Sequence, residues 1–277
     1  MPTLDGARRF LDSIEFPTGP SMPRTHIALD GFEGDWFEAP HPVATVLYFH
    51  GGGYTFYPRS YRYLIELITR AAQSRLFALD YPLAPEHTFP AQLDAAIAAY
   101  TWLLDEGIPP GNLLVAGDSA GAHLALGCLL RLKELKLPKP ALAIAISPPT
   151  DLEPDWPSLT GNAKFDWIQN FMLQKWTSYF CSAKDRANPL VSLNKAEFTK
   201  LCPIYIQCGG AEILHDSIHA FAQFARTQGA RITIETWPDM NHVFQIFGSF
   251  SPQSSEALSR IGKVVAETFQ QDTVRLS

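Results

Sequence analysis

No run of apolar residues in the 277-residue chain is long enough to cross a bilayer, which takes about 20. Basic residues are not clustered either. The 22 lysines and arginines are scattered among 28 acidic residues, giving a net charge of −6 and no footprint for nucleic acid. The four cysteines, Cys128, Cys181, Cys202 and Cys208, have neither disulfide nor zinc spacing. Reduced, buried thiols in a cytoplasmic protein are therefore expected. The opening stretch MPTLDGARRFLDSIEFPTG contains acidic residues and lacks an apolar core, so it does not read as a signal peptide. Internal repeats and low-complexity tracts are absent. With 46% hydrophobic and 18% charged residues, the chain can build one large α/β domain, or a domain with a modest insertion.

From residue 42 onward, short apolar or β-branched runs alternate with helical patterns. Strands are expected at 43–50, 75–81, 112–118, 141–148, 203–210 and 231–237. Helices are expected at 60–74, 91–107, 120–135, about 216–228 and about 254–270. This alternation predicts a mostly parallel, doubly wound sheet, with its site beyond the C-terminal strand ends. Two segments break the rhythm. Residues 1–41 contain a short helical pattern and then the irregular FPTGPSMP. Residues 149–200 carry Trp156, Phe165, Trp167, Phe171, Trp176, Tyr179 and Phe180. The second segment reads as an inserted lid whose apolar face meets the site, against the simpler alternative that its aromatic stripe is ordinary core.

The chemistry starts with LYFHGGGYTF, residues 47–56, where a strand runs into His50 and three glycines. A tight turn would need only one or two glycines. Three suggest bare main-chain N–H groups facing a negative charge. GDSAG, residues 117–121, lies between a predicted strand and helix, the setting in which G-x-S-x-G projects a serine from a sharp turn. Ser119 is thus a candidate nucleophile, with helix capping as the alternative. A serine nucleophile needs a base. Of eight histidines, His242 follows the last predicted strand, where the order serine, acid, histidine would put it. For the acid, Glu212 and Asp216 both follow the preceding strand. Glu212 is preferred because Asp216 resembles an N-cap. Gly51, Gly52 and the amide of Ala120 are the candidate oxyanion donors. His50 is assigned to fixing the loop.

HGGG at 50–53, YPLAPEHTFPA at 81–91 and GDSAG at 117–121 occur in that order, and together they closely resemble the hormone-sensitive-lipase-like carboxylesterases of the α/β-hydrolase fold. ANPLVSL at 187–193 is similar to a further family segment, and the likeness covers roughly residues 42–250. The resemblance implies an α/β-hydrolase domain over 42–277 with a small helical cap. The cap comprises an insertion at about 149–200 and a reduced N-terminal part in residues 1–41. It likewise implies Ser119 as nucleophile, His242 as base and Glu212 as acid, with Gly51, Gly52 and Ala120 holding the oxyanion. Two departures stand out: glutamate at 212 where the family usually has aspartate, and Val243 where glycine commonly follows the histidine. Tyr54, Phe56, Trp167, Phe171, Trp176 and Phe244 are candidates for the substrate pocket.

The expected activity is hydrolysis of small to medium acyl esters through a Ser-His-Glu triad and an acyl-enzyme, with no cofactor and no metal. The alternatives are a specialised natural-product deacetylase, lactonase, amidase or cyclase on the same triad, and a non-catalytic ligand-binding receptor. The expected partner is a small-molecule ester, without nucleic acid or stable membrane insertion. Family members often dimerise, so a homodimer is one expectation, although no segment marks an interface. His215 and His219 have metal-ligand spacing, but a glutamate in the H-E-x-x-H arrangement and a third ligand are missing, so helix-surface histidines are expected.

Overall fold

The computed structural model describes residues 3–14, 21–152 and 155–275. The first part of FPTGPSMP, residues 16–20, lies outside them. Eight strands form one sheet: β1 (Arg24–Leu29), β2 (Phe32–Glu38), β3 (Ala44–Phe49), β4 (Ser74–Asp80), β5 (Leu113–Asp118), β6 (Leu142–Ile146), β7 (Ile204–Gly209) and β8 (Ile232–Trp237). Their spatial order is β1-β2-β4-β3-β5-β6-β7-β8. The pairs β1/β2 and β2/β4 are antiparallel, and all the others are parallel.

Residues on the central strands are buried on both faces, which is why those strands read as unbroken apolar runs. Along β3, Leu47 and Phe49 enter one core layer while Val46 and Tyr48 enter the other. The first layer is covered by α3 (Ala91–Asp105), α4 (Ala120–Leu135) and α7 (His215–Thr227). The second is covered by α2 (Tyr61–Ala71) and α8 (Pro252–Arg275). The expected double winding is present. Among the described residues, no helix is long and apolar enough to cross a membrane.

Residues 24–38 differ from the sequence reading, which gave residues 1–41 no strands. They form the hairpin β1–β2 on the antiparallel side of the main sheet. The signal is weak because β1 is exposed along nearly its whole length, so it carries no apolar alternation. On β2, Trp36 packs its ring 5.1 Å from Phe77 and 6.0 Å from Trp102, beneath the Arg75 guanidinium. The expected short helix is α1 (Leu4–Asp12), which has no buried residue. It is held chiefly by Arg8, which donates to the Thr55 and Ala84 carbonyls and pairs with Glu86.

The inserted segment between β6 and β7 contains the short α5 (Ser158–Gly161), α6 (Asn170–Phe180) and two single turns of 3-10 helix. The inner face of α6 does join the core, through Phe180 and Thr177. Phe180 stacks on Tyr54 at 3.9 Å and meets Phe89 edge-on.

Candidate active site

Four strands end at the same edge of the sheet, and each delivers a segment singled out from the sequence. β3 leads into His50–Gly53, β5 into Ser119, β7 into Glu212 and β8 into His242. Ser119 sits at φ 51°, ψ −122°, a conformation that non-glycine residues avoid. The backbone around it shows what enforces this. A Cβ at Gly117 would strike Gly121 and the Phe49 carbonyl, and one at Gly121 would strike the carbonyls of Phe49 and His50. The turn therefore tolerates only glycine at both ends, as the motif requires. The Ser119 amide is held by the Ile146 carbonyl at 2.8 Å. The helix-cap alternative does not fit, since the Ser119 side chain makes no cap hydrogen bond to α4.

The Ser119 hydroxyl lies 2.8 Å from His242 Nε2. His242 Nδ1 faces Glu212 Oε2 at 3.4 Å, an ion-pair separation rather than a short hydrogen bond. All three residues are buried, and Ser119 keeps 9% of its surface open. Burial lowers the His242 imidazole from its ordinary value, while the negative charges of Asp166 and Asp118 oppose that shift. Burial also raises the Glu212 carboxyl. Asp216, the other candidate acid, is turned away. Its carboxylate accepts from the Ser158 amide at 2.9 Å and pairs with His215.

The glycine loop corrects one expectation. The Gly51 amide donates to Asp118 Oδ1 at 2.9 Å, so it is not free to receive an oxyanion. The same oxygen accepts from the Tyr48 hydroxyl at 2.7 Å. By contrast, the amides of Gly52, Gly53 and Ala120 have no backbone acceptor among the described residues. Gly52 and Gly53 both have positive φ, at 101° and 61°. Burial raises the Asp118 carboxyl to about 6, against its hydrogen bonds from Tyr48 and Gly51.

His50 is sandwiched between the rings of Tyr57 and Tyr81, at 3.7 and 4.1 Å and nearly parallel. Burial lowers its imidazole to about 3, so it stays neutral while Nδ1 donates to the Gly51 carbonyl. The segment 81–91 props up this loop: Tyr81 donates to the His50 carbonyl and the Ala84 amide to that of Tyr54.

Of the six aromatic pocket candidates, three approach the reactive groups. Trp167 packs 5.6 Å from the His242 ring and donates its indole N–H to the His242 carbonyl. Trp176 covers Gly53, where any side chain would collide with the indole, and Phe56 meets Trp176 edge-on. Tyr54 and Phe244 are core residues instead. The positive φ of Tyr54 accompanies an inward ring whose hydroxyl bonds His123 at 2.5 Å, and Phe244 packs against Trp237. Phe171 is 71% exposed on the outer face of α6. His215 pairs with Asp216, and His219 meets Thr236 Oγ1 at 2.9 Å. Among the described residues no group of three or more His, Cys, Asp or Glu could hold a metal.

Comparison with known proteins agrees with this fold. A family model described as alpha/beta hydrolase fold matches residues 46–246. An acetyl-hydrolase of Streptomyces hygroscopicus is 38% identical over 220 residues, covering 79% of this chain and 74% of the relative. An esterase of Acinetobacter venetianus is 32% identical over 253 residues, covering 90% and 83%. The crystal structure of an esterase from the bacterial hormone-sensitive lipase family superposes with a TM-score of 0.92 at 33% identity, covering 96% of this chain and 92% of that one.

Proposed function

Because this chain belongs to the hormone-sensitive-lipase-like carboxylesterases of the α/β-hydrolase fold, we propose that it cleaves small acyl esters through Ser119, His242 and Glu212. The observation that carries the reading is the 2.8 Å contact between His242 Nε2 and a serine hydroxyl held at positive φ. Nε2 takes the hydroxyl proton as Oγ bonds to the acyl carbon, and the carbonyl electron pair moves onto oxygen. Glu212 orients the imidazole and stabilises the imidazolium that results. The oxyanion is received by the amides of Ala120, Gly52 and Gly53, with Gly53 taking the place expected for Gly51. Each such donor typically contributes about 3–4 kcal/mol to lowering the barrier. His242 then gives its proton to the departing alcohol, leaving an acyl-serine. A water activated by the same imidazole attacks the acyl carbon and releases the acid.

Small acyl groups fit the two tryptophans against the reaction centre, Trp167 at His242 and Trp176 at Gly53. The acetyl-hydrolase name of one relative points the same way. The test is hydrolysis of p-nitrophenyl esters, from acetate to decanoate, by wild type and Ser119→Ala. Hydrolysis of the short esters should fall at least a thousandfold in Ser119→Ala. Comparable rates in the two proteins would rule out the serine mechanism. A folded wild type inert to every ester would favour a dedicated natural-product substrate.

A further inference from the structure

The inserted segment holds the acid and base loops in place, and one of its carboxylates stands out. Asp166, just before Trp167, is 6% exposed. Its Oδ2 accepts the Ile213 amide, next to Glu212, at 2.7 Å. Its Oδ1 accepts the amide of His242 itself at 3.2 Å. A single buried side chain thus joins the residue after the acid to the base, using one oxygen for each. Neighbouring contacts act in the same direction. Asn162 Nδ2 donates to the Gly210 and Glu212 carbonyls, Ser158 Oγ to the Ile213 carbonyl, and Trp167 to the His242 carbonyl.

Two acceptor oxygens facing two N–H groups from different loops suit a carboxylate, whereas an amide would turn an N–H₂ toward one of them. A buried negative charge is costly unless it is matched. The charged and titratable groups around Asp166 are His242, after β8, and Glu212, after β7. Asp118, at the end of β5, also acts on His242. Glu212 repels the Asp166 charge, so beyond the two amide hydrogen bonds the charged group among the described residues that offsets it is His242 once protonated.

We propose that Asp166 is a positioning residue for the reaction: its carboxylate locks the Glu212 and His242 loops together, and its charge stabilises the His242 imidazolium formed when Ser119 is deprotonated. The inference deepens the esterase reading and rests on it. The inserted segment would then contribute to the chemistry as well as covering the site.

The test compares full-length wild type with Asp166→Asn by two readouts. An NMR pH titration of the His242 ring needs no substrate. The pH profile of kcat/KM on p-nitrophenyl acetate reports catalysis. Removing a nearby negative charge disfavours imidazolium, so the ring should titrate about one pH unit lower and the acidic limb should move down with it. kcat should fall about tenfold or more, with KM within about twofold. An unmoved ring titration in folded Asp166→Asn would overturn the charge role whatever happens to activity, and unchanged kcat would overturn both roles. If Asp166→Asn does not fold, Asp166→Glu replaces it. That variant keeps the charge but displaces both oxygens, so kcat should fall while the acidic limb stays in place; unchanged kcat would again overturn the proposal. Should wild type hydrolyse no ester, the esterase reading fails separately, because the ring titration still reads the Asp166–His242 interaction.

Discussion

The elbow around Ser119 and the inserted segment of residues 149–200 serve the same reactive atoms by different physics. At the elbow, backbone presses on backbone: Gly117, Gly121 and the carbonyls of Phe49 and His50 leave no room for a side chain. In the inserted segment, Ser158, Asn162, Asp166 and Trp167 reach across by hydrogen bonds to the main chain of loops distant in sequence. Steric support is all-or-none, because a close-packed contact cannot yield by degrees. Hydrogen-bonded support is graded, since each bond can be removed separately at a modest cost.

That contrast predicts a ranking of effects. The largest belongs to Gly121→Ala, whose methyl group has to displace the Phe49 and His50 carbonyls. A loss of about 3 kcal/mol or more is expected, with nearly complete loss of ester hydrolysis. Denaturant unfolding and p-nitrophenyl acetate turnover would measure both, and a stable, active variant would contradict the steric account. A middle effect is expected for Asn162→Ala, which strips the Gly210 and Glu212 carbonyls of their donor. Stability should drop by about 1–2 kcal/mol and kcat by roughly tenfold. If this variant were as damaging as Gly121→Ala, the two regions would not differ in kind. The smallest effect on fold and acetate turnover is expected for Trp176→Ala, which uncovers Gly53. The ratio of kcat/KM for octanoate to that for acetate should rise about tenfold, the scale of one or two methylenes admitted to an apolar pocket. An unchanged ratio would remove Trp176 from the acyl pocket.

The same contrast explains what could be read from the sequence. The central strands and their helices were legible because burial on both faces leaves continuous apolar runs, and the elbow because its constraint lies within five residues. Ser119, Glu212 and His242 were singled out through the order in which this fold presents its strand ends, and their side chains lie together in the structure. The hairpin β1–β2 was missed because its outer strand is exposed. Gly51 was misread as a donor because the spacing of three glycines does not reveal which amide a distant carboxylate already occupies. Aromatic content suggested a pocket, yet it could not separate Trp167, at His242, from Phe171 in solvent or Phe244 in the core. Asp166 carried no recognisable signal, since beyond a long contact from the Ile168 amide its partners lie 47 and 76 residues away.

The position of Asp118 has a consequence for how such a protein can be rebuilt. Its carboxylate belongs to the strand that presents Ser119, yet it holds the Gly51 amide and the Tyr48 hydroxyl of the neighbouring strand and loop. The glycine loop is therefore not an exchangeable part. A graft that brought a new loop without a matching tyrosine would leave the aspartate buried among mismatched neighbours. Redesign has a natural seam instead at α6, whose outer face carries Phe171 in solvent while its inner face meets Gly53 through Trp176. A library confined to that helix could alter substrate choice while leaving the Ser119 elbow and the glycine loop intact as one inherited block.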